Sequence, residues 1–440
     1  MPVNGQNEYA PLLGIHSSHR KHITPLARTA ISAILFTAIV VTVIVNLTIY
    51  WDDLWDLIHG LPSDPDEAAS RVLNSMPVID GHIDLADLVR AKYSNNASAV
   101  NLRLFTPEHV DIPRLRRGRV GGFFWSAYVA CPQPEAEGPD FLNPSWRVRD
   151  TLEQIDIVKL LVDDYPDVFR LATSSSEVEK AIRSGRIASL IGLEGGHQIG
   201  TSIAALRQLY ALGVRYMTLT HFCHNAFADS GGYLEPLTPR WGGLSPLGRT
   251  LIQEMNRLGM LIDLSHTSDE TARQTLNLTK APVIFSHSSA RSVHNIARNV
   301  PDDILKLIGE QPGKTDAVVM VNFAPVFVAP QGEANVSAVA DHIDHIANVT
   351  GKQHVGLGSD FDGFGGTTQG LEDVSKYPNL IAELYHRGWN KTELVGLAGR
   401  NLLRVMAGAE NTAKQLQSAR VRPKYDIYDK RTDIPYDREF

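Results

Sequence analysis

Cysteine is almost missing from this sequence: Cys131 and Cys223 are the only two in 440 residues. Any metal the chain holds must therefore rest on imidazole and carboxylate rather than on a thiolate cluster. An excess of basic charge is also missing, with 42 Lys and Arg against 49 Asp and Glu and a net charge of −7. Nucleic acid is excluded as a partner on that ground, because no basic stripe is there to neutralise phosphates. There is no nucleophile elbow, no phosphate-cradling glycine loop and no dinucleotide fingerprint, which removes three common enzyme chemistries. No repeat of short period and no long low-complexity segment occurs either.

Uncharged apolar runs are scarce, with one exception. Ala30 to Tyr50 reads AISAILFTAIVVTVIVNLTIY, and a helix of that length rises about 30 Å, enough to cross a bilayer core. A buried core helix would show more polar periodicity. A cleaved signal peptide would have a shorter core and a shorter polar leader. The reading is an uncleaved signal anchor. Arg20, Lys21 and Arg28 precede it, while Asp52, Asp53 and Asp56 follow. The positive-inside rule then makes a single-pass type II protein with its large part extracellular or lumenal. Trp51 and Trp55 suit an interfacial belt.

Sequons at Asn96, Asn277, Asn335, Asn348 and Asn390 all lie beyond the span, as glycosylation on that side requires. Asn46 also starts one, inside the apolar run. The two cysteines lie on the same side. In an oxidising compartment they can pair, which the chain-entropy view values at roughly 4 to 5 kcal/mol. Two buried free thiols are the other reading, and the residues alone leave both open.

The expected organisation is a cytoplasmic tail (1–29), a transmembrane anchor (30–50), a stalk (51–70), a catalytic domain (71–412) and a charged C-terminal tail (413–440) with no apolar glycolipid-anchor signal. Strands are expected at Pro77–Asp80, Val120–Ala130, Ile187–Leu193, Val214–Leu219, Met260–Leu264, Pro282–Phe285, Ala317–Asn322 and His354–Leu357. Several are continuous apolar runs, as in strands buried on both faces. Amphipathic helices such as Ile203–Leu212 and Leu247–Leu258 fit between them. Eight strands in this rhythm favour a (β/α)8 TIM barrel, with an open doubly wound sheet as the alternative.

Polar residues cluster just after these strands. The first is followed by His82 and Asp84, which share a face in an extended segment. Glu194 ends the third, and His221 follows the fourth. His266, His287 and Asp360 follow the fifth, sixth and eighth. Each taken alone has a plainer structural reading, a satisfied core histidine or a paired carboxylate. Taken together they converge on one barrel mouth, where active sites sit, and they point to a metal centre. Imidazole and carboxylate suit zinc, with manganese, cobalt or iron possible. His82, Asp84, Glu194, His266 and His287 are too many for one open tetrahedral ion and suit two sharing Glu194, which is hydrolase chemistry.

These residues lie in DGHIDL, LEGGHQIG, VRYMTLTHFCHNAFAD, LIDLSHTS, VIFSHSSAR, NVPDD and GLGSDFDG. In those motifs the chain resembles the membrane (renal) dipeptidases over about residues 71–410. The resemblance implies a zinc metallopeptidase with two zinc ions: His82 and Asp84 on one, His266 and His287 on the other, Glu194 bridging. It implies Asp360 as acid and base, His221 on the substrate and its oxyanion, and Arg298 on the free C-terminal carboxylate. Without the resemblance, Arg298 would be read as a surface salt bridge. The resemblance also implies a Cys131–Cys223 disulfide, dipeptide substrates and tolerance of a D-residue at the second position. Animal relatives commonly carry a C-terminal glycolipid anchor and some an interchain cysteine. This chain matches neither, so its anchoring differs and any homodimer is non-covalent. The alternatives are another metal-dependent amide or ester hydrolase on the same barrel, or a catalytically inactive surface binding protein.

Overall fold

The computed structural model describes residues 25–49, 60–133, 138–143 and 146–433, and the chain divides into two units, Met1–Gly60 and Leu61–Phe440. In the first, Pro25–Ile49 forms one helix whose described side chains are exposed. Taken over the described residues alone, no helix is long and apolar enough to cross a membrane. The side chains at 25, 27, 28, 44 and 46–49 lie outside that set, as do Arg20, Lys21, Trp51, Asp52, Asp53, Trp55 and Asp56.

The second unit is a nearly closed barrel of parallel strands. These are β1 (Val78–Ile83), β2 (Val120–Ala127), β3 (Phe169–Leu171), β4 (Ile187–Glu194), β5 (Val214–Thr218), β6 (Leu261–Asp263), β7 (Val283–Phe285), β8 (Ala317–Val321) and β9 (Val355–Leu357). The order around the barrel is β1-β2-β4-β5-β6-β7-β8-β9, with β3 paired to β4 outside it. The circuit is completed just past β9, where Ile83 bridges Phe361, Asp84 N–H donates to Phe361 O at 2.8 Å and Asp360 N–H donates to His82 O at 3.0 Å. Every residue of β1, β2, β4, β6, β7, β8 and β9 is buried, which is why their sequences run apolar without alternation.

All eight expected strands are present, and β1 runs on to Ile83, so His82 stands in the strand rather than after it. The ninth strand, Phe169–Leu171, is three residues long with Arg170 at its centre, too short and polar to announce itself. The helices follow local rules. Pro246–Leu258 starts at Ser245, whose side chain accepts from Gly248 N–H, and stops at Gly259 with φ 80°. Its buried Leu247, Leu251, Ile252 and Met255 form one stripe against the barrel. Helix Pro65–Ser75 crosses the 70/71 boundary drawn from the sequence. Helix Asn401–Ser418 crosses the 412/413 boundary, and Tyr428 beyond it is 2% exposed. Cys131 and Cys223 form a disulfide with Cα atoms 6.0 Å apart, joining the segments that follow β2 and β5.

Candidate active site

Parallel strands all deliver their C-terminal ends to one rim. His82 lies in the last turn of β1 with Asp84 just beyond it, and Glu194 is the last residue of β4. His266 follows β6, His287 follows β7 and Asp360 follows β9. The structure brings all six together, each less than a tenth exposed. The two oxygens of Glu194 divide the cluster. Oε2 lies 3.4 Å from His82 Nε2, which lies 3.2 Å from Asp84 Oδ2. Oε1 lies 3.1 Å from His266 Nε2 and 3.3 Å from His287 Nε2, and those nitrogens are 2.9 Å apart.

These lengths test the fit to a metal. Zinc with bonds of about 2.0–2.1 Å to tetrahedral ligands has ligand–ligand edges of about 3.3–3.4 Å. The His82–Asp84 and His82–Glu194 separations, at 3.2 and 3.4 Å, are of that size, and the second triangle, with edges of 2.9 to 3.3 Å, is slightly tighter. The electronics agree. Burial drives the pKa of His221, His266 and His287 well below the ordinary value, so these imidazoles are neutral, with lone pairs to give. For His82 burial pulls the same way, but Tyr216, Asp84 and Glu194 outweigh it and the net shift is upward. His82 Nε2 and both oxygens of Asp84 are buried with no hydrogen-bond partner. Acceptors do not face one another uncompensated in a buried site, so the cluster calls for a cation.

Around these donors lies a shell that the sequence did not point out. Ser286 Oγ is 2.6 Å from Asp263 Oδ2 and 2.7 Å from His287 Nδ1. The hydroxyl donates to the carboxylate, so it accepts from His287 Nδ1–H, and that tautomer leaves Nε2 bare. Asp263 Oδ1 also accepts from the N–H groups of Ser265 and Ser286, and Oδ2 from Thr218 Oγ1. One buried carboxylate thus laces β5, β6 and β7. Asp80 does the same for β1 and the turn past β9, accepting from His82 N–H, Ser359 N–H and Tyr377 OH. Burial raises its pKa to about 6 against those hydrogen bonds. Tyr216 OH is 2.7 Å from His82 Nδ1. Gly192 makes room for that ring, since a Cβ there would meet Tyr216 Cζ at 2.1 Å. Ser126 Oγ donates to Glu194 Oε2 at 3.2 Å, and Gln198 Oε1 accepts from Glu194 N–H.

Asp360 Oδ1 stands 3.9 Å from His82 Nε2 while Oδ2 accepts from Asn322 Nδ2 at 2.9 Å. Its pKa is pushed up to about 7, by burial first and by the charge of Asp84 second. Asp360 and His266 both sit in the left-handed backbone region, at φ 67° and 62°. Such conformations cost about 1–3 kcal/mol and gather at functional sites. Gly363 closes over this group: a Cβ would fall 2.4 Å from Asp84 Oδ2 and 2.6 Å from Asp360 Oδ1.

His221 lies beside the centre, Nε2 3.6 Å from Glu194 Oε1, and Nδ1 3.8 Å from Cys131 Sγ. His197 also lies near Cys131 and Cys223, but the disulfide leaves no thiolate there. Arg298 is not the surface salt bridge its motif alone suggested. It is 4% exposed, donates through Nη1 to Ser288 Oγ and through Nη2 to His287 O, and keeps Nε buried without a partner. A cavity of about 930 Å³ opens above the centre, lined by Asp84, Glu194, His221, His266 and Asp360 together with Tyr128, Tyr233 and Phe327; Arg298 is not in its wall. Of the sequon residues, Asn96, Asn277, Asn348 and Asn390 are exposed. Asn335 and Asn390 use Oδ1 to cap helices.

Residues 66–420 match the family profile described as "Membrane dipeptidase (Peptidase family M19)". An uncharacterized dipeptidase of Schizosaccharomyces pombe is 47% identical over 352 residues, which is 79% of this chain and 84% of that one. Among solved structures, a metallo peptidase from Rhodobacter sphaeroides liganded with a phosphinate mimic of L-Ala-D-Ala superposes with TM-score 0.66. It is 27% identical, over 76% of this chain and 99% of that one. A probable dipeptidase of Pseudomonas aeruginosa, 23% identical over 80% of this chain and 100% of its own, shares the fold at TM-score 0.68.

Proposed function

The chain belongs to the membrane dipeptidases of peptidase family M19 and is a metallo-dipeptidase; from that premise we propose that it works with two zinc ions, held by His82 and Asp84 on one side of Glu194 and by His266 and His287 on the other. The observation that carries the reading is the division of Glu194, one oxygen to each triangle of donors. Bound there, the pair would supply Lewis-acid polarisation of the scissile carbonyl and an activated water.

The side chains supply the rest. Asp360, oriented by Asn322, takes the proton from the attacking water and passes it to the leaving amine, a role that suits a carboxyl with a raised pKa. His221, neutral through burial, donates to the developing oxyanion. Arg298 spends two of its five N–H donors on Ser288 Oγ and His287 O, and a C-terminal carboxylate would supply an acceptor for those left over. Recognition of both termini limits substrates to dipeptides. The phosphinate mimic of L-Ala-D-Ala bound by the Rhodobacter sphaeroides relative supports tolerance of a D-residue at the second position.

The proposal extends to location. The uncharged run Ala30–Tyr50, its basic leading and acidic trailing flanks, and sequons confined to the far side support a type II anchor with the catalytic unit extracellular or lumenal. The disulfide fits that compartment.

The test is hydrolysis by the purified full chain of free dipeptides, N-blocked dipeptides and tripeptides, before and after chelation. Free dipeptides alone are expected to be cleaved, with activity lost to chelator and restored by zinc. Indifference to N-blocking, or activity that survives complete demetallation, would overturn the reading.

A further inference from the structure

The cavity over the centre carries four carboxylates in its wall, Asp84, Asp87, Glu194 and Asp360, and no lysine or arginine. Three of the four have work in the centre. Asp87 has none. It sits in the first turn of helix Leu85–Tyr93, half-buried. Among the described residues no side chain or backbone group donates a hydrogen bond to it, and it makes no ion pair. Arg90, one turn on in the same helix, is spent on Asp150 and Glu153. A carboxylate in a cavity wall with neither a hydrogen-bond donor nor an ion pair has its charge open to a ligand. A position in the first helical turn explains why an acid is tolerated, but not why that acid lines the substrate cavity.

Topology says which part of a substrate it meets. Asp87 follows β1, while Arg298 follows β7, close to opposite sides of an eight-strand circuit. If the C-terminal carboxylate is held on the β7 side, as the assignment of Arg298 above has it, the amino-terminal residue extends toward the β1 side, where Asp87 lines the cavity. The cavity, about 930 Å³ in all, is of a size for a dipeptide with a long side chain. Resting on the dipeptidase reading above, we propose that Asp87 is a specificity-determining residue that binds the cationic side chain of an amino-terminal lysine or arginine, so that dipeptides beginning with a basic residue are the favoured substrates.

The test compares lysyl-alanine with norleucyl-alanine, which has a similar aliphatic chain without the charge, using the zinc-loaded full chain and its Asp87→Asn variant. The wild type is expected to favour lysyl-alanine in kcat/KM by about tenfold, the scale of one charge-assisted contact. In Asp87→Asn that ratio is expected to fall toward one. The wild-type ratio needs no variant and should shrink as salt is raised. A wild-type ratio near one overturns the proposal. So does a ratio that Asp87→Asn leaves unmoved because both substrates fall together, which would place the carboxylate on the α-ammonium common to all dipeptides. If neither peptide is cleaved by the metallated wild type, the dipeptidase reading itself fails, a result distinct from cleavage without preference.

Discussion

His287, a proposed metal ligand, shows how much of such a residue's behaviour is set by a neighbour outside the ligand set. Its Nδ1–H has one acceptor, Ser286 Oγ, and that oxygen is held by Asp263. Replacing Ser286 by alanine deletes the acceptor and leaves the ring free to rotate or to take the other tautomer, which would turn a proton toward Glu194. The expected outcome of Ser286→Ala is a metal affinity lower by about 10- to 100-fold, read by competition with a chelator, with kcat at saturating metal falling much less. An unchanged affinity would reduce Ser286 to packing. The proposed ligands were visible in the sequence because strand ends are a local signal: a polar residue directly after an apolar run stands out. Ser286, Tyr216 and Asn322 were not, because their partners are set by strand pairing. Tyr216 meets His82 across 134 positions, and no spacing rule spans that distance. Asp80 and Asp263 left a faint trace, each standing two residues before a residue whose N–H it accepts.

Among elements, helix Val336–Thr350 does more than cover β8. Its His342 is fully buried and ties two segments of the rim, accepting at Nδ1 from Ala290 N–H and donating from Nε2 to Val328 O. Burial, with a smaller push from His294, lowers its pKa to about 4. Asp341 acts the other way, and His345 also lies near. The folded value lies below the unfolded one near 6.5, so the fold favours the neutral ring. Its contribution is complete above pH 6.5 and drains away as pH falls toward 4, amounting to roughly 3 kcal/mol. A glutamine can copy both hydrogen bonds without titrating. His342→Gln is therefore expected to remove that part of the loss in unfolding free energy between pH 6.5 and 4, measured by denaturant titration. Parallel pH profiles for the two proteins would rule His342 out. Elements differ in legibility as residues do. Buried runs such as β4 and β8 declare themselves by composition, whereas β3 exists only because β4 offers it an edge.

For the whole molecule, the point at issue is where the folded unit begins. Composition placed a stalk up to residue 70, since Gly60, Pro62 and Pro65 argue against a long helix through it. Those signals are real but punctuate a different object. Pro65 is the first residue of helix Pro65–Ser75, capped by Asp64, whose side chain accepts from Asp66 N–H. Proline there starts a helix rather than breaking one. The helix packs on helix Tyr377–His386, far along the chain, with Ala68, Ala69 and Val72 fully buried and Leu73 1% exposed. A protein cut to begin at residue 61 keeps this contact and is expected to fold, stay in solution and retain the dipeptidase activity. One that begins at 71 retains five residues of the helix, too few to hold helical form by themselves. If that remnant undocks, the burial of Val72 and Leu73 is lost, roughly 3–6 kcal/mol, a large share of the stability of an ordinary domain. The measurement is thermal unfolding of the two truncations side by side, with metal saturating in both so that ligand binding does not mask the difference. Equal midpoints would mean that the helix is an appendage and the sequence boundary the better one. A midpoint lowered only in the shorter protein would make Pro65–Ser75 part of the barrel's outer wall.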